Sequence, residues 1–358
     1  MKKYLALIIV FITAFFSTNA QMPQSALPRF VRWVDNSQLI VNTKLNKEAV
    51  AKDYVYNIIT NQYTAAPAAL PETKKVIVKN ANLFLKDNGN ETQLTFDAAE
   101  EKNPTLSPDG NFVGYTKNNN LFTLSLADKK ETAITNETTK GILNGYASWV
   151  YFEEIFGRPT QYRAFWWSPD SKYISFMRFD EREVPMFPIY NSDGQHGFIE
   201  ETRYPKVGDP NPTVKIGWTV PTGGNITWAD FNDQDDQYFG WPIWNPNTNT
   251  MWLSWMDRGQ NNLKVYELDM NTGAKKEVYK EYQKTWIDLE DRTGGRINFL
   301  ANNKGYIAQS DETGWNQLYL FNMDGQLQNA ITTGKYTVLG IKSIDEKAKT
   351  VYFTARGL

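Results

Sequence analysis

Short hydrophobic runs alternate with turn-forming residues along most of the chain. Residues 112–116 follow a Ser-Pro-Asp-Gly turn at 107–110, and a polar turn then leads into the apolar run 121–126. Runs of strand length bounded by Pro, Asp, Asn and Gly predict an antiparallel meander. Beyond the N-terminal segment, no long window shows the 3.6-residue spacing of an amphipathic helix. The pattern therefore predicts an all-β fold.

The same sequence motif, a short strand, a polar turn and a second strand, recurs along the chain with irregular spacing. Further copies begin near residues 165–170, 242–246 and 297–300, and a degenerate copy lies near 31–36. One small meander cannot bury both of its faces, so copies must stack, and radial stacking gives a β-propeller. A β-sandwich is the competing architecture, which the repetition of one motif disfavours. The intervening segments 137–164 and 190–225 are expected to be loops.

The extent of the propeller is also predicted from these copies. Residues 351–355 have the pattern of the opening strand of another blade. We expect roughly five to six blades, an incomplete propeller truncated before closure, within residues 21–358.

The first residues have the pattern of a secretory signal peptide. Two lysines precede an apolar run at residues 4–16, and small residues follow it up to Ala20. The run is short for a membrane span, which needs about 20 residues. We expect residues 1–20 to be removed between Ala20 and Gln21, leaving an exported, periplasmic or secreted chain without a membrane span. An uncleaved N-terminal anchor is the alternative.

Composition excludes several kinds of chemistry. The chain has 38 basic and 40 acidic residues, no cysteine and a single histidine, His196. We therefore expect no nucleic-acid partner, no disulfide, no thiolate nucleophile, and no metal or other cofactor. No Gly-x-Ser-x-Gly nucleophile motif occurs, and His196 lies in a polar segment typical of a solvated loop. We predict no catalytic residue in these 358 residues.

The most informative polar residues are the adjacent carboxylates Glu153 and Glu154, which lie within an aromatic segment at 149–156. Paired carboxylates in an apolar setting repel each other unless a cation lies between them, so an ammonium group is a suitable ligand. In the alternative interpretation, one glutamate faces water and the other pairs with Arg158 or Arg163.

Four segments together carry a family resemblance. Residues 149–156 resemble the double-glutamate motif of the dipeptidyl peptidase IV family, within the prolyl oligopeptidase family of serine peptidases, and residues 166–170, 179–185 and 204–215 are similar to that family's propeller in the same order. The resemblance implies an N-terminal propeller, which has eight blades in the family. It also implies an α/β-hydrolase domain with Ser, Asp and His, and we expect that domain to be absent from this chain.

The resemblance also implies a function and its partners. Members of the family release N-terminal dipeptides with proline, or sometimes alanine, in the second position, and their double glutamate binds the substrate's α-ammonium group. Glu153 and Glu154 would then be substrate-binding residues for peptides with a free N-terminus. The family also forms homodimers. The alternative is a non-catalytic peptide- or protein-binding propeller module, either truncated or degenerate.

The predicted signal peptide can be checked directly on exported protein. Intact mass spectrometry should give a chain that begins at Gln21, because the small residues before it suit signal peptidase. A mass that still includes residues 1–20 would contradict the prediction.

Overall fold

The computed structural model describes residues 28–34, 37–45, 48, 50–66, 74–288 and 296–357. The predicted signal peptide and its cleavage point lie outside these residues. The chain divides into two compact units, residues 1–72 and 73–358. In the described residues the fold is all-β, built from small antiparallel sheets of the kind that form propeller blades, with very little helix, which confirms the predicted fold class.

The first unit contains one antiparallel sheet. Its strands pair in chain order: β1 (Arg29–Trp33), β2 (Gln38–Thr43), β3 (Lys52–Asn57) and β4 (Gln62–Ala65). Ile40 and Val41 on β2 are its buried residues, so the core of this sheet is centred on its second strand.

The second unit contains five sheets of three or more strands among its described residues. The first two are β5 (Lys75–Lys79), β6 (Asn82–Asp87) and β7 (Asn90–Gln93), followed by β8 (Glu101–Leu106), β9 (Phe112–Lys117), β10 (Asn120–Ser125) and β11 (Glu131–Ala133). The third comprises β12 (Ile142–Asn144), β13 (Phe165–Trp167), β14 (Ile174–Asp180), β17 (Thr213–Thr219) and β18 (Thr227–Trp228). The fourth comprises β19 (Gln237–Phe239), β20 (Ile243–Trp244), β21 (Met251–Asp257), β22 (Asn262–Leu268) and β23 (Lys275–Tyr282). The fifth comprises β24 (Ile297–Phe299), β25 (Tyr306–Ser310), β26 (Gln317–Phe321) and β27 (Leu327–Ala330).

Two hairpins and three short helical turns complete the described secondary structure. The hairpins are β15 (Met186–Asn191) with β16 (Phe198–Arg203), and β28 (Thr337–Asp345) with β29 (Thr350–Arg356). The turns are a π-helical turn at Tyr151–Ile155 and 3₁₀ turns at Arg158–Thr160 and Ala301–Asn303. No helix in the described part of the chain is long and apolar enough to cross a membrane.

The Ser-Pro-Asp motif forms the same hydrogen-bonded turn at both of its positions. The Ser107 hydroxyl donates to Asp109 Oδ1 at 2.6 Å and accepts the backbone N–H of Phe112 at 2.9 Å. Ser168 and Asp170 form the same contact at 2.7 Å in the next sheet. The side chains thus fix the reversals between β8 and β9 and between β13 and β14, which is why the motif predicted these two turns correctly.

Large aromatic side chains pack neighbouring sheets together. Trp252 of β21 is fully buried and contacts Tyr306 of β25 edge to face, with ring centroids 5.1 Å apart. Trp218 of β17 is also buried, and its indole N–H donates to the carbonyl oxygen of Met270 at 2.8 Å. Burying such rings contributes about 2–3 kcal/mol each, so the contacts between sheets carry much of the stability.

The segment 190–225 is not the loop that the sequence analysis predicted. It contains β16 and also β17, which pairs with β14 along its whole length from Ile174 to Asp180. Val214, Ile216 and Trp218 of β17 are buried. This alternation is a strand signal, and the polar residues before it concealed that signal.

Gly273 offers a test of how tightly the sheets are joined. It has a φ of +79°, and a Cβ there would collide with the carbonyl oxygen of Trp228. We expect Gly273→Ala to lower the free energy of unfolding by about 2–4 kcal/mol, since steric overlap adds to the cost of a left-handed backbone.

Gly89 provides the matched control in urea unfolding, because it has a similar φ of +81° and open space around the missing Cβ. Gly89→Ala should cost only about 1–2 kcal/mol, the backbone term alone. Equal losses for the two variants would contradict the close approach at Trp228.

Candidate functional site

The two glutamates lie on one π-helical turn that its apolar residues hold in place. Tyr151 and Ile155 of this turn are buried, and the Tyr151 hydroxyl accepts the backbone N–H of Phe239 at 3.0 Å. Residues four apart lie on the same side of a helical turn. Burial of that side leaves Glu153 and Glu154 on the remaining surface of the turn.

The two carboxylates have different surroundings. Glu153 Oε1 accepts hydrogen bonds from Arg158 Nη2 at 2.5 Å and Nε at 3.0 Å, whereas Glu153 Oε2 is buried and has no hydrogen-bond partner among the described residues. Glu154 is exposed. The Arg158 side chain is 71% exposed and that of Glu153 is 20% exposed. This is the pairing that the alternative interpretation anticipated, with Arg158 rather than Arg163 as the partner.

A stack of aromatic rings lies against the glutamate turn. Phe152 stacks on Tyr162 with centroids 3.8 Å apart, and Tyr162 stacks in turn on Tyr146 at 5.0 Å. Burial, with nearby carboxylates, raises the pKa of Tyr162 to about 12, so its hydroxyl stays protonated at neutral pH. The site therefore combines acidic groups with an uncharged aromatic wall.

A third acidic residue, Glu181, belongs to the same neighbourhood. It follows β14, and its charge acts on the pKa values of both Tyr146 and Tyr162. Burial raises the pKa of Glu181 to about 7; Arg203 opposes the shift and Asp180 adds to it. Sequence reasoning missed this residue, because an acidic residue at a strand end is usually solvated and nothing in the pattern showed its burial.

The segment after the glutamate turn also lines a cavity of about 650 Å³. Its walls include Phe156, Thr160 and Arg163 from this segment, together with Asn103 and Trp241. Glu153 and Glu154 are not among the lining residues, so the turn and the cavity are separate features of one segment.

His196, the single histidine, lies away from regular structure. It is exposed and lies between the two strands of the β15–β16 hairpin. This is the solvated loop position that the sequence analysis predicted. Within the described ranges, no group of three or more His, Asp and Glu side chains is arranged to hold a metal ion.

Two solved structures are similar to this fold. The structure is similar to the crystal structure of Porphyromonas gingivalis dipeptidyl peptidase 4, with a TM-score of 0.70, 21% identity, and coverage of 93% of this chain and 50% of that one. It is also similar to a putative dipeptidyl aminopeptidase IV from Bacteroides ovatus, with a TM-score of 0.66, 22% identity, and coverage of 92% and 51%. The fold is thus that of the β-propeller in these structures.

Sequence comparison identifies the family. Residues 98–357 match the family described as dipeptidyl peptidase IV (DPP IV) N-terminal region. Dipeptidyl peptidase 4 of Arthroderma otae is 30% identical over 352 residues, which cover 91% of this chain and 44% of that protein. A probable dipeptidyl peptidase 4 of Arthroderma benhamiae is 31% identical over 291 residues, covering 77% and 36%.

The chain therefore belongs to the dipeptidyl peptidase IV N-terminal-region family, which confirms the resemblance found in the sequence. It spans less than half the length of these curated relatives.

The unusual pKa of Glu181 predicts a pH-dependent stability. Because the folded-state pKa is raised from 4.5 to about 7, folding favours the protonated acid. Stability from this group is present in full below pH 4.5 and is lost as the pH rises through about 7. We expect Glu181→Gln to raise the free energy of unfolding by about 1–2 kcal/mol at pH 8, with a smaller gain at pH 5.

Urea unfolding at the two pH values measures this effect, with Glu183→Gln as the control. Glu183 is exposed and two residues away, so its replacement should change stability little at either pH. A gain for Glu181→Gln that is the same at pH 5 and pH 8 would rule out the raised pKa as its cause.

Proposed function

We propose that this chain is the substrate-selecting propeller portion of a secreted serine-type dipeptidyl aminopeptidase. The enzyme releases N-terminal X-Pro or X-Ala dipeptides in proteolysis, and Glu153 and Glu154 bind the α-ammonium group of the peptide. One observation carries the proposal: both carboxylates lie on a single short turn, and one buried oxygen of Glu153 has no hydrogen-bond donor among the described residues.

An ammonium group matches the chemistry of this turn. It offers three N–H donors and a positive charge, whereas ionised carboxylates only accept hydrogen bonds. Charge-assisted contacts of this kind are shorter and stronger than neutral ones.

Arg158 holds the position that the substrate would take at Glu153. Its side chain is largely exposed, so displacing it costs little burial, and exposed ion pairs are worth only about 0–1 kcal/mol. In the proposed binding step the peptide's ammonium replaces the Arg158 guanidinium at Glu153 while Glu154 approaches from the solvent side. The arginine neutralises the site until a substrate arrives.

The proposal assigns bond cleavage to the Ser, Asp and His of the family's hydrolase domain, joined to this propeller. The propeller residues bind and orient the N-terminus. Because the ammonium is fixed at Glu153 and Glu154, the peptide bond that meets the nucleophile is set by its distance from the N-terminus. The anchor thereby selects the release of two residues at a time.

Substitution of each glutamate in the protein that carries both domains tests this role. Losing one partner of a buried charge-assisted contact costs roughly 2–5 kcal/mol, or about 30-fold to several-thousand-fold in kcat/KM. We expect Glu153→Gln to lower kcat/KM for a Gly-Pro chromogenic substrate by that order, and Glu154→Gln, whose side chain is exposed, to lower it by a smaller factor. Any residual cleavage of an N-acetylated substrate should change little, since that substrate has no ammonium.

Two further variants separate substrate binding from a structural role. Glu183→Gln removes an exposed carboxylate outside the turn and should keep wild-type kcat/KM. Arg158→Gln should leave kcat unchanged and lower KM, because it removes the proposed internal competitor. Wild-type kcat/KM in both glutamate variants would refute the anchor.

A non-catalytic peptide-binding module is the second candidate, because the ammonium site on the glutamate turn could bind a peptide N-terminus without any cleavage. Both candidates require the ammonium site, and they differ in whether the natural polypeptide hydrolyses Gly-Pro substrates. Turnover by the protein purified from its source, lost after treatment with a serine-directed phosphonate, would favour the peptidase. Peptide binding without turnover would favour the module.

A further inference from the structure

Arg163 is a half-buried cation without a negative partner in the described part of the chain. It takes part in no ion pair there, and burial alone lowers its pKa. Arginine nevertheless stays charged at neutral pH. Arginine is rarely buried without a partner, because an uncompensated charge in a low-dielectric setting is costly. Its position therefore needs a reason beyond packing.

The contacts of Arg163 leave much of its guanidinium without an acceptor. Nη1 donates to the Thr105 hydroxyl at 3.3 Å, and that hydroxyl donates to the carbonyl oxygen of Asn103 at 3.1 Å. The guanidinium carbon lies 5.5 Å from the ring centroid of Trp241. A guanidinium has five N–H donors, and these contacts fix its plane while using one of them.

The cavities that Arg163 lines also contain several buried donors without a partner among the described residues. Asn103 Nδ2 and the indole Nε1 atoms of Trp166, Trp241 and Trp244 are all buried without a hydrogen-bond partner among the described residues. Buried indole N–H groups normally find an acceptor. Each of the four residues lines either the 650 Å³ cavity or a second cavity of about 280 Å³, and Arg163 lines both.

The backbone at Asn103 is distorted to form this wall. The register of β8 against β9 shifts between Lys102 and Thr105, and Asn103 has a φ of +57°. Bulges of this kind redirect side chains and are frequent beside functional sites. Here the bulge brings Asn103 and Thr105 to the cavity wall next to Arg163.

We propose that Arg163, together with Asn103 and Trp241 on the wall of the 650 Å³ cavity, forms a binding site for a carboxylate carried by a peptide. A single guanidinium balances the single charge of a carboxylate and can donate two parallel hydrogen bonds to its two oxygens. The large cavity also has apolar walls that suit the body of a peptide better than a naked, strongly hydrated phosphate. These walls comprise Ile77, Val78, Pro104, Phe156 and Pro159.

This site is distinct from the ammonium anchor, since Glu153 and Glu154 do not line the cavity. It binds the opposite charge, and it requires no catalytic domain. A peptide with a blocked N-terminus therefore tests the carboxylate site alone, whatever the outcome of the glutamate experiments.

Binding of N-acetyl-Gly-Pro to the purified chain, followed by tryptophan fluorescence and calorimetry, tests the inference. We expect this acid to bind at least about tenfold more tightly than N-acetyl-Gly-Pro amide, because the amide lacks the charge. Arg163→Gln should abolish that preference, and Arg163→Lys should restore it only in part, since lysine keeps the charge without the fork. Arg182→Gln, at an exposed arginine paired with Asp180, should bind as wild type does.

A second variant keeps the test decisive if Arg163→Gln does not fold. Trp241→Phe retains an aromatic ring beside Arg163 and removes one N–H donor, so it should weaken binding of the acid by about threefold to tenfold. Equal affinity for acid and amide, or wild-type affinity in Trp241→Phe, would overturn the proposal. Tighter, Arg163-dependent binding of inorganic phosphate would overturn the assignment to a carboxylate.

Discussion

The requirement that every small sheet cover both of its faces governs this structure. A meander of four strands has two broad faces, and β21, in the middle of the chain, is apolar on both: five of its seven residues are Met, Trp or Leu, and four of these five are buried. Such a sheet is stable only between neighbours. The rings of Trp252 and Tyr306 meet at one of these boundaries, and the connections between sheets are free to carry polar residues.

The glutamate turn depends on that packing. Its buried side is held by Tyr151, whose hydroxyl reaches the backbone of Phe239 in the next sheet of the same unit. A single turn of helix is too short to be stable alone, so its shape comes from these tertiary contacts. The carboxylates are consequently displayed on a rigid base although the element that carries them has only five residues.

Features whose signals lie within a few neighbouring residues could be predicted from the sequence, whereas features that depend on distant residues could not. The Ser-Pro-Asp turns and alternating strands were predictable because their signals lie within a few residues, and Glu153 with Glu154 stood out as charge within an aromatic run. The strand at 213–219 was missed although it alternates, since a polar insert precedes it. The burial of Arg163 and Glu181 gave no signal in the sequence, because it arises from residues far away in the chain, such as Trp241 for Arg163.

The Arg158–Glu153 pair gives the glutamate turn its own built-in counterion. Added salt would screen the proposed attraction between the turn and a peptide's ammonium, but it would screen the internal pair as well. The two effects oppose each other, because weakening the internal pair frees Glu153 for the incoming group. Under the proposed role of this turn, affinity for a peptide N-terminus should therefore vary with ionic strength much less than two adjacent carboxylates would suggest.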